Sequence, residues 1–443
     1  MARVFLTLLG CDKNRIDAEI MAKKLQDAGH LLSPEPGDCD VALINTCGFI
    51  EAAKRESIDV IFDMVRLKES GGSDIKAVVV TGCLAERYRG ELARSIPEAD
   101  AVVGLGKNGD IVDIVERALA GVRTLSFDAP EKLPVEGARL LSTPAHYAYL
   151  KIAEGCSNRC AYCAIPDIRG RYRSRAPLDV LAEAKWLAGT GVRELILVAQ
   201  DTTAYGRDLK EQTSLASLLR ELTKIDGFWK IRVLYAYPEH ITDELMEVMS
   251  REERIARYID VPFQHADGEV LARMGRAGDK AAYLALVGRL RRRIPGIAIR
   301  SSFIIGFPGE TEDSFWELMD FRRSAEIDRA GCFTYSAEEG TPAFELADRV
   351  PKKTADARHE LFMSGQTRML ADKQAARVGE TLEVIVDAYD PERGMYAART
   401  EFDAPEIDTV LYIDAAEKVR SGAVIRVKVT TSDCYDLYGA AID

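Results

Sequence analysis

The 443-residue chain has no uninterrupted run of about 18 apolar residues, the length a helix needs to cross a bilayer. A membrane-spanning helix is therefore not expected. The N-terminal stretch MARVFLTLLGC ends like a lipoprotein cleavage site. Its apolar part, residues 4–9, is too short for a signal peptide, and the polar DKNRIDAE follows at once. That start reads as a first β-strand, and the chain is expected in the cytoplasm, where thiols stay reduced. Positive charge is also scarce. Lys and Arg number 59 against 71 Asp and Glu, a net of −12, so no broad basic face for gripping nucleic acid is expected. Histidine is sparse: five residues, scattered, none of which is assigned to a metal. Of these, His265 alone falls at a strand end that could face a site. No long internal repeat and no low-complexity tract interrupts the chain.

What is present suits a globular protein with a large core: 47% hydrophobic and 29% charged residues, with length for two to four domains. Three segments are expected, giving an α/β fold class. In residues 1–121, short apolar runs (RVFLTLL, VALINT, KAVVVTG, DAVV) alternate with helical patterns near 15–28, 51–67, 86–95 and 110–120. Continuous apolar strands between helices predict a parallel sheet. The stretch FDAPEKLPVEGARLLSTPAH, with Pro130, Pro134 and Pro144, reads as a linker. In 142–372 the alternation restarts with six candidate strands, at 147–153, 193–199, 231–236, 257–261, 297–305 and 331–336. These predict a partial (β/α)6 barrel, too short for the eight units that take about 250 residues. A polar helix over 352–376 leads out. In 375–443, five short strands predict a small OB-like β-barrel.

The chemistry rests on cysteine. GCSNRCAYC carries Cys156, Cys160 and Cys163 at C-x3-C-x2-C spacing, just past the first barrel strand. Cys11, Cys47 and Cys83, each 36 residues from the next, follow three different strands of the first segment. Loops after parallel strands share one sheet edge, so these three thiols are expected to meet. Clustered thiolates favour zinc, cuprous copper or iron–sulfur clusters. Structural zinc takes four protein ligands. Two sites that each stop at three fit better with [4Fe–4S] clusters that leave one iron open to a non-protein ligand. Cys39, Cys332 and Cys434 have no such setting and are expected to be simple packing residues. GLGKNG, 104–109, matches a dinucleotide-loop pattern but falls at the fourth strand; a tight strand-to-helix turn is the better reading.

With Tyr162 before its last cysteine, the 156–163 motif resembles that of the radical S-adenosylmethionine (SAM) enzymes. The resemblance implies a [4Fe–4S] cluster on Cys156, Cys160 and Cys163, its open iron chelated by the amino and carboxylate groups of SAM. GFPGE, 306–310, is similar to a later strand-end motif of the same superfamily. EGCSNRCAYCAIPDIRGRYRSR, the three N-terminal cysteines and a TRAM-like C-terminal barrel together resemble the methylthiotransferases over nearly the whole chain. LGCDKN, NTCGFIEAAKRESID, QDTTAYG, FTYSAEEGT, DAPEID and YDLYG resemble one branch of that family. Its members methylthiolate the β-carbon of an aspartate in small-subunit ribosomal protein S-twelve; the sister branch acts on adenosine in transfer RNA.

This likeness implies a second [4Fe–4S] cluster on Cys11, Cys47 and Cys83, which holds the sulfur to be transferred. It implies SAM as cofactor and a one-electron reductase or a flavodoxin- or ferredoxin-type donor as partner. Gln200, Gln264, Gly306 and Gly309 are candidates for the SAM pocket because of their strand-end positions. No catalytic residue is assigned beyond the cluster ligands. Arg169, Gly170, Ser174 and Arg175 match the methylthiotransferase pattern without an assigned role. Charge separates the two branches. Residues 375–443 hold seven Lys and Arg against fourteen Asp and Glu, a net of −7. An RNA-gripping barrel should be basic, whereas one docking a basic ribosomal protein should be acidic. A protein substrate with no direct RNA binding is therefore expected. A transfer-RNA enzyme is the first alternative, and a non-catalytic iron–sulfur electron carrier the second.

Overall fold

In the computed structural model, residues 1–210, 212–415 and 417–442 are described. Strands β1 (Arg3–Leu8), β2 (Leu31–Ser33), β3 (Val41–Thr46), β4 (Ala77–Gly82), β5 (Ala101–Val103) and β6 (Thr124–Ser126) form one sheet. Its order is β2-β1-β3-β4-β5-β6 and every pairing is parallel. The helices between them are α1 (Asp12–Asp27), α2 (Glu51–Glu69), α3 (Cys83–Ser95) and α4 (Ile111–Leu119). The pleat sends alternate residues to opposite faces. Ala42, Ile44, Val78 and Val80 pack with Ile61, Val65 and Leu92 of α2 and α3. Val41, Leu43, Ala77 and Val79 pack with Met21, Leu25 and Ile114 of α1 and α4. Burial on both faces explains why β3 and β4 read as unbroken apolar runs.

The three-residue edge strands β2 and β6 gave no such signal, because they are too short and half exposed for a pattern to show. The Pro-rich stretch is likewise more than a tether. It follows β6 directly, and its Arg139 pairs with the buried Glu19 of α1 at 2.5 Å. GLGKNG forms a 3-10 turn that runs straight into α4, and its Lys107 pairs with Asp110 and Asp128.

Residues 1–142, 151–175 and 338–341 make up one compact unit and the remainder a second. Within the first, β8 (Ala153–Glu154) and β9 (Arg173–Ser174) pair as an antiparallel ribbon. The ribbon closes the base of the 155–172 loop, which carries the short helix α5 (Ile165–Arg169).

The second sheet has the order β14-β13-β12-β11-β10-β7. Its strands are β7 (Tyr147–Lys151), β10 (Glu194–Val198), β11 (Lys230–Val233), β12 (Ile255–Asp260), β13 (Ala298–Ile305) and β14 (Arg329–Thr334). Spatial order follows chain order, so the sheet winds one way, as a barrel does, but stays open at six strands. Helices α6 (Pro177–Gly189), α7 (Leu215–Leu222), α8 (Asp243–Arg251), α9 (Gly268–Arg273), α10 (Lys280–Arg293) and α11 (Glu312–Ala325) fill the crossovers. α12 (Lys352–Ala376) leads to a closed barrel of β15 (Thr381–Asp390), β16 (Met395–Thr400), β17 (Leu411–Asp414), β18 (Val424–Ser432) and β19 (Leu437–Ile442). No described helix is long and apolar enough to cross a membrane.

The closed barrel seats its 400–409 loop on the amino ends of the open-barrel strands. Arg399 bridges Glu194 of β10 (2.5 Å) and Asp387 (2.8 Å), and His146 Nε2 lies 2.7 Å from Asp387. Tyr258 of β12 donates to Asp408 (2.7 Å), and Arg329 of β14 meets Asp403 (2.6 Å). These pairs lie toward the amino ends of the strands, opposite the carboxyl ends where β/α folds place their chemistry.

Candidate metal centre

Cys11, Cys47 and Cys83 follow β1, β3 and β4, three neighbouring parallel strands, and so stand on one edge of the first sheet. The winding reverses between β1 and β3, the place where open α/β sheets bind ligands. Cys11 caps α1 and Cys83 opens α3. Cys47 is tied to α2 twice: its N–H donates to Ser57 Oγ, and Ser57 donates back to Cys47 O, each at 2.9 Å.

The loops meet closely. Gly10 has φ +88°, and a Cβ there would lie 2.7 Å from Cys47 Cβ and 2.8 Å from its Sγ. Only glycine adopts that conformation cheaply and leaves room for the Cys47 side chain. Burial pushes the Cys83 thiol up to about 12, Arg169 pulls it back, and Cys11 and Cys47 add to the rise. Burial also raises Cys47, against the N–H of Phe49. A protonated thiol of this kind is neither a nucleophile nor a good ligand, and an adjacent metal cation is what turns such a thiol into a thiolate.

The second triad lies on the 155–172 loop of the same compact unit. Gly155, at φ +77°, lets the loop turn beneath Arg171, whose carbonyl would be 2.3 Å from a Cβ. Cys156 N–H then donates to Gly170 O (3.1 Å) and Cys163 N–H to Cys160 O (3.1 Å). Burial pushes the Cys163 thiol up to about 12, the Ile165 N–H opposes it, and Cys160 and Cys156 add to it. The three cysteines of each set thus lie on neighbouring strand-end loops or on one loop. Among the described residues no three His, Cys, Asp or Glu converge as a single-ion site. A cubane cluster puts each thiolate on a separate iron, and so spaces its ligands more widely than one ion does. Three cysteines in each set suit the donor set of a cluster with one open iron.

Between the cysteine-bearing segments lies a buried charge network that sequence reading missed. Arg169, 1% exposed, pairs with Glu154 Oε1 (3.0 Å) and Asp17 Oδ2 (3.0 Å). Its Nη2 also donates to Asn14 Oδ1 and to Cys83 Sγ, both at 3.3 Å. Lys151 pairs with Glu154 (2.7 Å) and with Asp17. The motif RGRYRSR marked Arg169 but could not show its partners, which are up to 155 residues away in sequence.

The remaining sequence candidates lie in the second unit. Gln200 follows β10, Gln264 follows β12, and Gly306 and Gly309 follow β13, all on the carboxyl edge of that sheet. Gln264 adopts φ +69°, unusual for a non-glycine residue, and its backbone pairs with Ser302 and Ile304 of β13. Gly306 donates to the buried Glu310 (2.8 Å), which Arg358 of α12 holds at 2.6 Å. His265 is buried, its Nε2 3.5 Å from Glu310. Asp201, next to Gln200, lies 2.9 Å from His240 Nδ1. The structure brings these four candidates to one edge but assigns none a ligand. Cys39 and Cys332 are buried apart from both triads, and Cys434 is exposed on the closed barrel.

Family models match along the chain: uncharacterized protein family UPF0004 over 3–104, the radical SAM superfamily over 150–322, and the TRAM domain over 378–442. The "Ribosomal protein uS12 methylthiotransferase RimO" of Desulforamulus reducens is 45% identical, covering 99% of each chain. The proteins of that name from Heliobacterium modesticaldum and Desulforudis audaxviator are 44% and 46% identical. They cover 100% and 98% of this chain and 95% and 96% of their own. Among solved structures, the radical SAM methyltransferase TsrM of Kitasatospora setae aligns with a TM-score of 0.60 at 13% identity, covering 84% of this chain and 90% of its own. That likeness shows the fold alone.

Proposed function

Because the chain belongs to the RimO family of ribosomal protein uS12 methylthiotransferases, we propose that it adds a methylthio group to the β-carbon of an aspartate in uS12, the small-subunit protein S-twelve. It is a radical SAM enzyme with a C-terminal TRAM domain. The proposed division of labour follows three segments: 1–121 for the sulfur site, 142–372 for SAM chemistry and 375–443 for docking.

Cys156, Cys160 and Cys163 would hold one [4Fe–4S] cluster, and Cys11, Cys47 and Cys83 a second. Bound there, the first would supply one electron for SAM cleavage, and the second would give the transferred sulfur a seat. Hydrogen at the β-carbon of an aspartate resists removal as a proton at neutral pH, which is why such a cofactor is needed. The chain's own residues position and shield. Gly10 keeps the Cys11 and Cys47 loops in contact, Ser57 fixes Cys47, and the β8–β9 ribbon closes the base of the Cys156 loop. Gln200, Gln264, Gly306 and Gly309 are the proposed SAM contacts. The acidic 375–443 segment suits a basic protein partner and disfavours RNA. A one-electron reductase or a flavodoxin- or ferredoxin-type protein would be the donor, and the cytoplasm, where uS12 is made, the setting.

What supports the reading is the placement of two cysteine triads in one compact unit: Cys11, Cys47 and Cys83 on one sheet edge, and Cys156, Cys160 and Cys163 on one loop. The test is a mass spectrum of uS12 after anaerobic incubation with iron-reconstituted enzyme, SAM and a reductant. A methylthio mass gain on one aspartate is expected. SAM cleavage with no gain on uS12, and a gain on transfer RNA instead, would overturn the substrate assignment.

A further inference from the structure

The network around Arg169 has two features that fold stapling alone does not require. First, the guanidinium reaches past its two carboxylates to a thiol sulfur. Nη1 is held by Glu154 and Nη2 by Asp17, which already neutralise the cation, yet Nη2 also donates to Cys83 Sγ at 3.3 Å. Second, the residue that does this sits six positions after Cys163, on α5, at the end of the loop that carries the other triad. One loop therefore supplies three cysteines to one site and a fixed positive charge to the other.

Arginine stays charged at any working pH. Lys151, Arg169, Asp17 and Glu154 are all essentially without solvent exposure, so their charges are poorly screened. Together they balance at two cations and two anions. Of the two cations, only Arg169 touches a cluster ligand. The potential of an iron–sulfur cluster depends on nearby charge, on hydrogen bonds to its sulfurs and on exposure. A buried N–H cation against a ligand sulfur favours the reduced, more negative cluster through the first two of these.

We propose that Arg169 sets the reduction potential of the cluster held by Cys11, Cys47 and Cys83, raising it through its charge and its bond to the Cys83 sulfur. This rests on the reading that those three cysteines hold a cluster. Arg169 acts through Cys83 and is a positioning residue for the sulfur site. The same contact joins the two sites mechanically, since Asn14 and Asp17 on α1, one turn and more past Cys11, grip the same guanidinium.

The test uses the full-length chain with Cys156, Cys160 and Cys163 replaced by Ala, so that only the other triad can report. The protein is reconstituted anaerobically, iron and sulfide are counted, and the cluster is titrated by electron paramagnetic resonance. Arg169→Met is expected to keep a cluster and move its midpoint potential to a more negative value. Arg169→Lys, which keeps the charge but not the forked geometry, is expected in between. Lys151→Met removes an equal charge from the same network without touching a sulfur, and should move the potential less than Arg169→Met. Should Arg169→Met not fold, the Arg169→Lys and Lys151→Met comparison still decides: Arg169→Lys leaving the potential at the parent value while Lys151→Met lowers it overturns the proposal. Unmoved potentials in clusters of full iron content overturn it as well. A parent protein that takes up no iron removes the underlying cluster assignment, and the proposal with it.

Discussion

Replacing Gly10 by Ala tests whether the Cys11 and Cys47 loops really touch. Two costs are expected. The φ of +88° lies in the left-handed region, where a side chain costs about 1–2 kcal/mol. The new Cβ would also lie 2.7 Å from Cys47 Cβ and 2.8 Å from Sγ, so Cys47 must move. Overpacking of this kind costs about 1–3 kcal/mol. Gly29 isolates the first cost: its φ is +86°, with nothing within 4 Å of a built Cβ. Gly29→Ala should therefore show only the backbone strain, and the difference between the two variants should be about 1–3 kcal/mol. At 1.4 kcal/mol per factor of ten, that is roughly a 5- to 150-fold effect. It should appear either as lost stability in urea or, if Cys47 yields, as weaker iron loading of the N-terminal triad. Both are measured on full-length protein lacking the other three cysteines. Equal behaviour of Gly10→Ala and Gly29→Ala in both assays would refute the close approach and the argument built on it.

Cys160→Ala should abolish SAM cleavage, whereas Cys47→Ala should spare cleavage and stop sulfur insertion; methylthio product from Cys47→Ala would remove the sulfur-site role from the N-terminal triad. Arg399→Met should destabilise the protein toward the low end of the roughly 3–5 kcal/mol lost when a buried ion pair is broken, because Arg232 and His146 still face Glu194 and Asp387; urea midpoints check this. Acid should loosen the same seat. Burial raises Glu194, Asp387 and Asp403, but Arg399 and Arg232 together outweigh it at Glu194, His146 and Arg399 at Asp387, and Arg329 with Thr400 and Thr409 at Asp403, so all three lie below their ordinary values of 4.5, 3.8 and 3.8. Depressed carboxylates stabilise fully above their unfolded values and lose that contribution as pH falls through the folded ones. The urea midpoint should hold from about pH 7 to 5 and fall below about pH 4, less steeply in Arg399→Met.

Some of this was legible because local physics repeats. β3 and β4 are buried on both faces, so VALINT and AVVVTG announce themselves. The cysteine after each needed only the rule that loops past parallel strands share an edge. The C-x3-C-x2-C spacing is local, and so is the polar helix over 352–376, whose limits match α12. Other features left no local trace. β2 and β6 borrow their pairing from neighbouring strands. Glu338, buried, accepts from Glu51 N–H at the start of α2 (3.0 Å) and from Arg87 (2.8 Å), contacts 287 and 251 residues apart in sequence. DAPEID was visible only as a family signature, and it turns out to cover the amino ends of the open-barrel strands through Asp403 and Asp408.

Six cysteines in two sets of three, on parallel strand ends and in one short loop, were legible before folding, because donor type and spacing are properties of the chain. What surrounds those cysteines was settled only by folding. Arg169 could be read as a basic residue of a basic stretch; only folding brings Asp17, Glu154 and the sulfur of Cys83 around it and removes water from all four. A charge has little meaning in sequence, since its effect depends on its partners and on the dielectric around it, and both are set by which distant segments pack together.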